Sequence, residues 1–121
     1  MHRRSLVSVV DDDESVRESL PDLLRQLGFD AEAFLASDVV GETGCLLLDI
    51  AMPGMSGPDL QDELMRRRQA IPIVFITAHG DSTVRPRLLA RGAVDCLLKP
   101  FSETALLDAI GAAFRRPARA T

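Results

Sequence analysis

Five short apolar runs alternate with stretches of helical spacing along this chain of 121 residues. The runs lie at about 5–10, 29–35, 45–48, 73–76 and 94–98. Runs of this length are typical of buried strands, whereas core helices are longer. Alternating strands and helices predict a parallel sheet with helices on both faces, because right-handed crossovers place the connecting helices there. We therefore predict an α/β fold built on a doubly wound, five-stranded parallel sheet.

Three of the predicted helices contain a residue that disfavours regular helix. Pro21 lies inside the first helical pattern and predicts a kink or a helix that restarts near it, since an interior proline removes one backbone hydrogen bond. Only about 38–43 remains for the second helix, which is therefore short and is weakened further by Gly41. Pro86 falls early in the fourth helix, so we expect regular helix to begin only there.

The ends of the other helices carry recognisable capping residues. Pro58 suits the first position of the third helix, and Ser102 caps the fifth. Gly92 ends the fourth helix. Three arginines at 66–68 end the third helix, where positive charge suits the helix dipole. We interpret them as a solvated helix end, with a phosphate or partner patch as the alternative.

The composition is that of a single globular domain. Hydrophobic residues make up 46% of the chain and charged residues 26%. We assign 1–114 to this domain and 115–121 to a tail or the start of a linker. Because the chain starts at Met1 and ends without a visible tag, we expect a single-domain protein, although the tail also fits a linker to a DNA-binding domain.

Charge and residue types exclude several partners for this chain. The net charge of −4, the pI near 5.1 and the lack of Trp and Tyr argue against direct binding of nucleic acid. No apolar run approaches the roughly 18 residues that a membrane span needs. Cys45 and Cys96 both lie in apolar runs, which favours buried free thiols in a cytoplasmic protein over a disulfide.

The first apolar run ends abruptly in four acidic residues, Asp11, Asp12, Asp13 and Glu14. Two carboxylates about 4 Å apart repel each other by roughly 4 kcal/mol at an effective dielectric near 20. A cation would relieve this repulsion, and oxygen ligands suit a hard ion such as Mg²⁺. Taken alone, the stretch fits a metal site and an acidic turn that caps the next helix equally well.

The later strands end in polar residues at the same edge of the predicted sheet. Asp49 follows the third strand, Thr77 the fourth and Lys99 the fifth. Ligands bind at this carboxyl edge in open α/β sheets, and an Asp carboxylate can accept a phosphoryl group. A divalent ion held by Asp12 and Asp49, with Asp11 acting through water, would neutralise one side of that group, and Lys99 and Thr77 would contact its other oxygens.

Four segments around these residues resemble the receiver domains of two-component response regulators: VDDDESVR at 10–17, LDIAMPGMSG at 48–57, ITAHGD at 76–81 and GAVDCLLKPF at 92–101. The resemblance spans about 6–114, and the last two segments are most similar to receivers that precede a LuxR-type helix-turn-helix domain. It implies a flavodoxin-like fold with strand order 2-1-3-4-5, an order that the residues alone do not give.

The resemblance also implies the chemistry of the site. Asp49 would be the phosphoacceptor, and Asp11, Asp12, Asp49 and the backbone carbonyl of Ala51 would bind Mg²⁺ or Mn²⁺. The donor would be a phosphohistidine on a sensor histidine kinase or phosphotransfer protein. Such a domain is a signalling switch that catalyses only its own phosphorylation and dephosphorylation, and is not otherwise an enzyme.

Further roles follow from the same resemblance. Thr77 would be the switch hydroxyl and Lys99 would contact the phosphoryl group. Ala51 and His79 occupy positions that tune the lifetime of the phosphoryl group. The Lys99–Pro100 bond is expected to be cis, because only X-Pro bonds adopt that form at low cost.

The chain departs from the family at the position that usually carries an aromatic switch residue, where it has Cys96. The family's usual interaction surface is formed by the fourth helix, the fifth strand and the fifth helix, and it would be the face of a homodimer. Because Pro86 and Cys96 alter that face here, we keep an alternative open. In that alternative the chain is a receiver-fold binding module or phosphate sink whose output does not use the Thr and aromatic switch.

Two enzyme or ligand classes are disfavoured. A phosphatase with an aspartate nucleophile commonly has a second acid two residues later, where this chain has Ala51. A flavin or nucleotide site needs a glycine-rich loop to bind phosphate, whereas the first loop here is acidic and would repel it.

Overall fold

The computed structural model describes residues 6–11, 28–29, 31–52, 54–78 and 83–115. Its strands are β1 (Leu6–Val10), β2 (Gly28–Phe29), β3 (Thr43–Asp49), β4 (Ile73–Thr77) and β5 (Asp95–Leu98). Its helices are α1 (Ala31–Ala36), a 3-10 helix (Asp38–Glu42), α2 (Gly57–Arg66), α3 (Val84–Ala90) and α4 (Glu103–Arg115). The strands pair in parallel in the order β2-β1-β3-β4-β5, which confirms the predicted five-stranded sheet and its order.

Helices cover both faces of this sheet because its central strands are apolar on both faces. In β3, Leu46 and Leu48 pack in one cluster with residues of α1, α2 and α3, whereas Cys45 and Leu47 pack in a second cluster with residues of α4. All four side chains are fully buried. A buried Leu side chain contributes about 1.5–3 kcal/mol, so β3 is the centre of the core.

Both cysteines are buried and free, as the sequence predicts. Burial raises the pKa of the Cys45 thiol to about 12. Burial is also the main cause that raises the pKa of Cys96, followed by the charge of Asp95. No helix among the described residues is long and apolar enough to cross a membrane.

The prediction of a second strand at 29–35 is wrong beyond Phe29. Residues 29–35 alternate in a way that suggested a strand, but β2 ends at Phe29 and α1 begins at Ala31. The buried residues of α1 are Ala31 and Phe34, three positions apart, which is a helical spacing and not the spacing of a strand. The short second helix expected at 38–43 is the 3-10 helix, so the connection between β2 and β3 consists of two short helical pieces.

The helix α2 begins at Gly57, one residue before its predicted first residue, Pro58. Ser56 is its N-cap and forms a capping box with Asp59, whose backbone N–H donates to the Ser56 hydroxyl at 3.2 Å. The helix α3 begins at Val84, two residues before the expected start. Pro86 therefore lies in the first helical turn. Backbone N–H groups in this turn form no hydrogen bond within the helix, so the N–H that proline lacks costs nothing here. The first predicted helix, with Pro21, lies outside the described residues.

The C-terminal ends of α2 and α3 have the same geometry with different residues. After α3, Gly92 has φ +99° and donates to the carbonyl of Leu89, the usual arrangement for a glycine at this position. After α2, Arg68 occupies the equivalent position with φ 60° and donates to the carbonyl of Met65. A left-handed conformation costs a residue with a side chain roughly 1 kcal/mol, so Arg68 is locally strained.

We expect Arg68→Gly to stabilise the protein by about 0.5–1 kcal/mol, because glycine adopts this conformation without steric cost. Equilibrium unfolding in urea would measure the change. Gly92→Ala is the matched opposite substitution and should destabilise the protein by a similar amount or more. A loss of stability in Arg68→Gly would contradict the assignment of strain to this position.

Candidate functional site

Polar side chains at the ends of four strands are brought to one edge of the sheet. Asp11 follows β1, Asp49 is the last residue of β3, Thr77 is the last residue of β4, and Lys99 follows β5. The backbone N–H of Lys99 donates to the carbonyl of Thr77 at 2.8 Å, so pairing continues past the end of β5. The sheet therefore holds the backbone of these residues in fixed relative positions.

Two buried carboxylates share one lysine at this edge. Asp11 is fully buried and Asp49 is 6% exposed. The Lys99 ammonium Nζ lies 3.4 Å from Oδ2 of Asp11 and 3.9 Å from Oδ2 of Asp49. With both carboxylates ionised, these three groups carry a net negative charge, which makes the site a favourable place for a cation.

The surroundings of Asp49 alter its titration. Burial is the largest cause that raises the pKa of Asp49 to about 6, and the neighbouring charge of Asp11 raises it further. The backbone N–H of Ala51, 3.1 Å from Oδ1, and the positive charge of Lys99 oppose this rise in pKa. Asp49 is thus mostly ionised at neutral pH, yet it carries an unfavourable interaction that a bound cation would relieve.

The site opens to solvent through a cavity of about 310 Å³. Its polar walls are formed by Asp49, Thr77 and Lys99. The remaining walls are Ile50, Ala51, Ala78 and Val84. A carboxylate, a hydroxyl and an ammonium group therefore face one small space, as the sequence predicts for these three residues.

Two predicted site residues, Asp12 and His79, lie outside the described residues, as do the neighbouring acids Asp13 and Glu14. Within the described part of the chain, no group of three or more His, Cys, Asp and Glu side chains is arranged to hold a metal ion. Asp11, Asp49 and Ala51 are thus the members of the predicted metal site that lie among the described residues. The Lys99–Pro100 bond is cis, as predicted.

Gly57 is a positioning residue to which the sequence motifs assign no role of its own. A Cβ atom at this position would lie 2.4 Å from the backbone oxygen of Asp49 and 3.0 Å from Cα of Ile50. The Gly57 N–H also donates to the carbonyl of Ile50 at 2.9 Å. The start of α2 therefore packs directly on the backbone of Asp49. The sequence does contain a signal for this contact. It is the glycine directly after the N-cap residue Ser56, at a position where the backbone turn does not require glycine.

Cys96 lies in the core on the face covered by α1, α2 and α3. Its side chain is 7% exposed and belongs to the same cluster as Leu88 of α3 and Phe75 of β4. The carboxylate of Asp95 accepts a hydrogen bond from the Cys96 N–H at 2.7 Å. The position where the family resemblance implies an aromatic switch residue is thus filled here by a small buried thiol.

Fold and site together define a doubly wound α/β protein with paired carboxylates and a lysine at the carboxyl edge of its sheet. A model of the response regulator receiver domain matches residues 7–111. The chain belongs to this family, which confirms the resemblance seen in the sequence. Receiver domains of response regulators act in two-component systems as signalling switches.

Curated relatives support the same family. Nodulation protein W of Bradyrhizobium diazoefficiens is 46% identical over 119 residues, which cover 93% of this chain and 52% of that protein. The response regulator protein TodT of Pseudomonas putida is 41% identical, with the same coverage of 93% and 52%. The chain thus spans about half the length of these curated relatives.

Solved structures agree with the fold. The response regulator StyR superimposes with a TM-score of 0.80 at 48% identity, covering 91% of this chain and 59% of that chain. The structure described as FixJ-N superimposes with a TM-score of 0.80 at 35% identity, covering 95% and 97% of the two chains.

Proposed function

We propose that this chain accepts a phosphoryl group on Asp49 from a phosphohistidine of a sensor kinase or phosphotransfer protein. The observation that carries the proposal is the convergence of Asp49, Asp11 and Lys99, with Thr77 on the wall of the same cavity. In the transfer, a carboxylate oxygen of Asp49 forms a bond to phosphorus while the bond from phosphorus to the histidine nitrogen breaks. The nitrogen keeps the electron pair of that bond.

The other residues neutralise and orient the transferred group. Lys99 pairs with a phosphoryl oxygen as a point charge, and the Thr77 hydroxyl donates to another. Asp49 needs no general base, because a carboxylate with a pKa of about 6 is mostly ionised at neutral pH. The polar walls of the cavity suit a tetrahedral anion bonded to Asp49.

The site residues fit a hard divalent cation. The adjacent carboxylates of Asp11 and Asp49 provide the oxygen ligands that Mg²⁺ prefers, and among the described residues the single charge of Lys99 offsets their two negative charges. We propose that Asp12 and the backbone carbonyl of Ala51 complete the ligand set, with Mg²⁺ or Mn²⁺ as the ion. The ion supplies charge neutralisation for the phosphoryl oxygens when bound.

We propose that the domain also catalyses its own slow dephosphorylation, in which water attacks phosphorus and the carboxylate of Asp49 leaves. The small side chain of Ala51 leaves the cavity wall open to water at that position. Ala51, together with His79, would therefore set the lifetime of the phosphoryl group.

The proposed output face consists of α3, β5 and α4, which correspond to the fourth helix, fifth strand and fifth helix of the sequence prediction. Leu98 of β5 and Leu107 of α4 are 50% and 43% exposed, so apolar surface is available for a homodimer. With Cys96 in place of an aromatic residue, we propose that movement of Thr77 reaches this face through α3. The two free buried thiols support a cytoplasmic location.

Incubation with phosphoramidate and Mg²⁺ tests the proposed function. We expect a mass gain of one phosphoryl group, located by peptide mapping on the peptide that contains Asp49, and no gain when EDTA removes the ion. Labelling that survives mild alkali or hydroxylamine, or labelling of a peptide without Asp49, would contradict the proposal, because both reagents cleave an acyl phosphate. The absence of any labelling with Mg²⁺ present would sink it.

A further inference from the structure

A second cavity lies between α2 and α3, next to the site of Asp49. Its volume is about 400 Å³, and we call it the α2–α3 groove. It is lined by Ile50, Pro58, Val84, Arg87, Leu88 and Arg91. Four of these six residues are apolar and two are arginines, so the groove combines a hydrophobic floor with positive charge.

The two arginines differ in how they are held. Arg91 forms an ion pair with Asp62 of α2, and the amide of Gln61 donates to the Arg91 carbonyl at 3.4 Å. Arg91 therefore ties the end of α3 to α2 and fixes one wall of the groove. Arg87 is exposed, and its side chain forms no ion pair or hydrogen bond with the described residues, unlike Arg85, whose guanidinium pairs with Asp95 at 2.9 Å.

We propose that the α2–α3 groove binds a small amphipathic anion, with an apolar body and one carboxylate, sulfonate or phosphate group. The volume lies within the range of about 300–1,000 Å³ typical of small-ligand sites. The apolar body would contact Ile50, Val84 and Leu88, and the anionic group would pair with Arg87. A charge-assisted hydrogen bond to an arginine side chain that is unpaired within the described part of the chain fixes the orientation of such a ligand.

The groove also shares two walls with the phosphoacceptor site. Ile50 and Val84 line both the groove and the cavity that holds Asp49. A ligand that contacts these side chains therefore changes the wall next to Asp49, and we infer that it alters the rate at which Asp49 is phosphorylated. This part of the inference rests on the proposed function, whereas binding in the groove does not.

Fluorescence titration with 1-anilinonaphthalene-8-sulfonate, an aromatic sulfonate, tests the binding. The chain has no Trp or Tyr, so protein emission does not interfere. We expect saturable binding that weakens at least about tenfold in Arg87→Glu, because an ion pair becomes a repulsion. Arg66→Glu makes the same change of charge on exposed α2 surface outside the groove and should leave the affinity within about twofold. Equal weakening in both variants would overturn the proposal.

Methyl NMR spectra locate the probe. We expect shifts at Val84 and Leu88 during the titration, whereas shifts confined to Leu98 and Leu107 would place the probe on the other exposed apolar surface and overturn the proposal. An aromatic ammonium of similar size that binds as tightly as the sulfonate would refute the anion class. Shifts of Val84 and Leu88 that depend on protein concentration alone would assign the groove to a second copy of the chain, against the proposal.

Phosphoramidate labelling with and without the sulfonate tests the link to Asp49. We expect the labelling rate to change by about threefold or more in the unmodified chain and to stay constant in Arg87→Glu. An unchanged rate at saturating sulfonate would overturn the link. A chain that binds the sulfonate but takes no label at all would instead refute the proposed function and leave the groove site standing.

Discussion

Replacing Asp49 with asparagine is expected to abolish phosphoryl labelling and to stabilise the Mg²⁺-free protein above about pH 6. The loss of labelling follows because an amide oxygen is not the ionised nucleophile that forms an acyl phosphate. The gain in stability is the less obvious result, since it comes from removing a functional group. It follows from the position of Asp49 beside Asp11 in a buried site.

The sign of the pH dependence follows from the two pKa values. The pKa of Asp49 is about 6 in the folded protein, against 3.8 as the ordinary value for aspartate. Between these pH values the folded state binds more protons than the unfolded state, so the free energy of unfolding falls as the pH rises. Above about pH 6 the full penalty applies, which is about 3 kcal/mol for this rise in pKa. The variant lacks this penalty.

Urea unfolding in EDTA at several pH values between about 4 and 7 measures the effect. The stability difference between Asp49→Asn and the unmodified protein should grow with pH across this range. Added Mg²⁺ should stabilise the unmodified protein at neutral pH and reduce the difference. Asp108→Asn, an exposed change on α4, is the matched control and should show neither trend. A constant difference across the pH range would contradict the assigned cause.

The sequence predicted the sheet and the polar residues at its edge because both depend on short-range patterns. An apolar run followed by one polar residue marks the end of a buried strand, and parallel strands must bring these ends together. Asp49, Thr77 and Lys99 therefore share a cavity, as expected. The four segments that resemble receiver domains then implied chemical roles for these residues. Their positions at the sheet edge do not indicate those roles.

The connection between β2 and β3 was mispredicted because two periods fit the same residues. Apolar side chains at 29, 31, 33 and 35 suit a strand, and those at 31 and 34 suit a helix. Burial of Phe34 under the sheet decides between them, and that contact is with residues far along the chain. Local pattern carries no information on such a contact, so the boundary could not be predicted.

The sequence also could not predict the α2–α3 groove or the close contact of Gly57 with the backbone of Asp49, and the reason is different. Both depend on distances between elements, set by how α2 packs on the end of β3. A glycine before a helix reads as turn chemistry whether or not another backbone approaches it. Only the position of the Asp49 carbonyl shows that the missing side chain is required.

We expect Gly57→Ala to destabilise the protein by about 2 kcal/mol or more and to slow labelling of Asp49 by roughly tenfold to a hundredfold. The new Cβ would lie 2.4 Å from the Asp49 carbonyl oxygen, and the atoms it meets are backbone, so either α2 or residues 49–50 must move. Such a movement displaces the carboxylate relative to Lys99, and a shift of about 1 Å can cost a hundredfold in rate.

Gly41→Ala provides the matched control, because a Cβ at Gly41 has nothing within 4 Å. This substitution should leave labelling unchanged and stability equal or slightly higher, since alanine reduces the freedom of the unfolded chain. Labelling rates at saturating phosphoramidate and urea unfolding of both variants separate the two positions. Labelling by folded Gly57→Ala within about twofold of the unmodified rate would show that the close contact does not position Asp49. If Gly57→Ala loses more labelling than its loss of stability explains, the packing of α2 on the Asp49 backbone is part of the site.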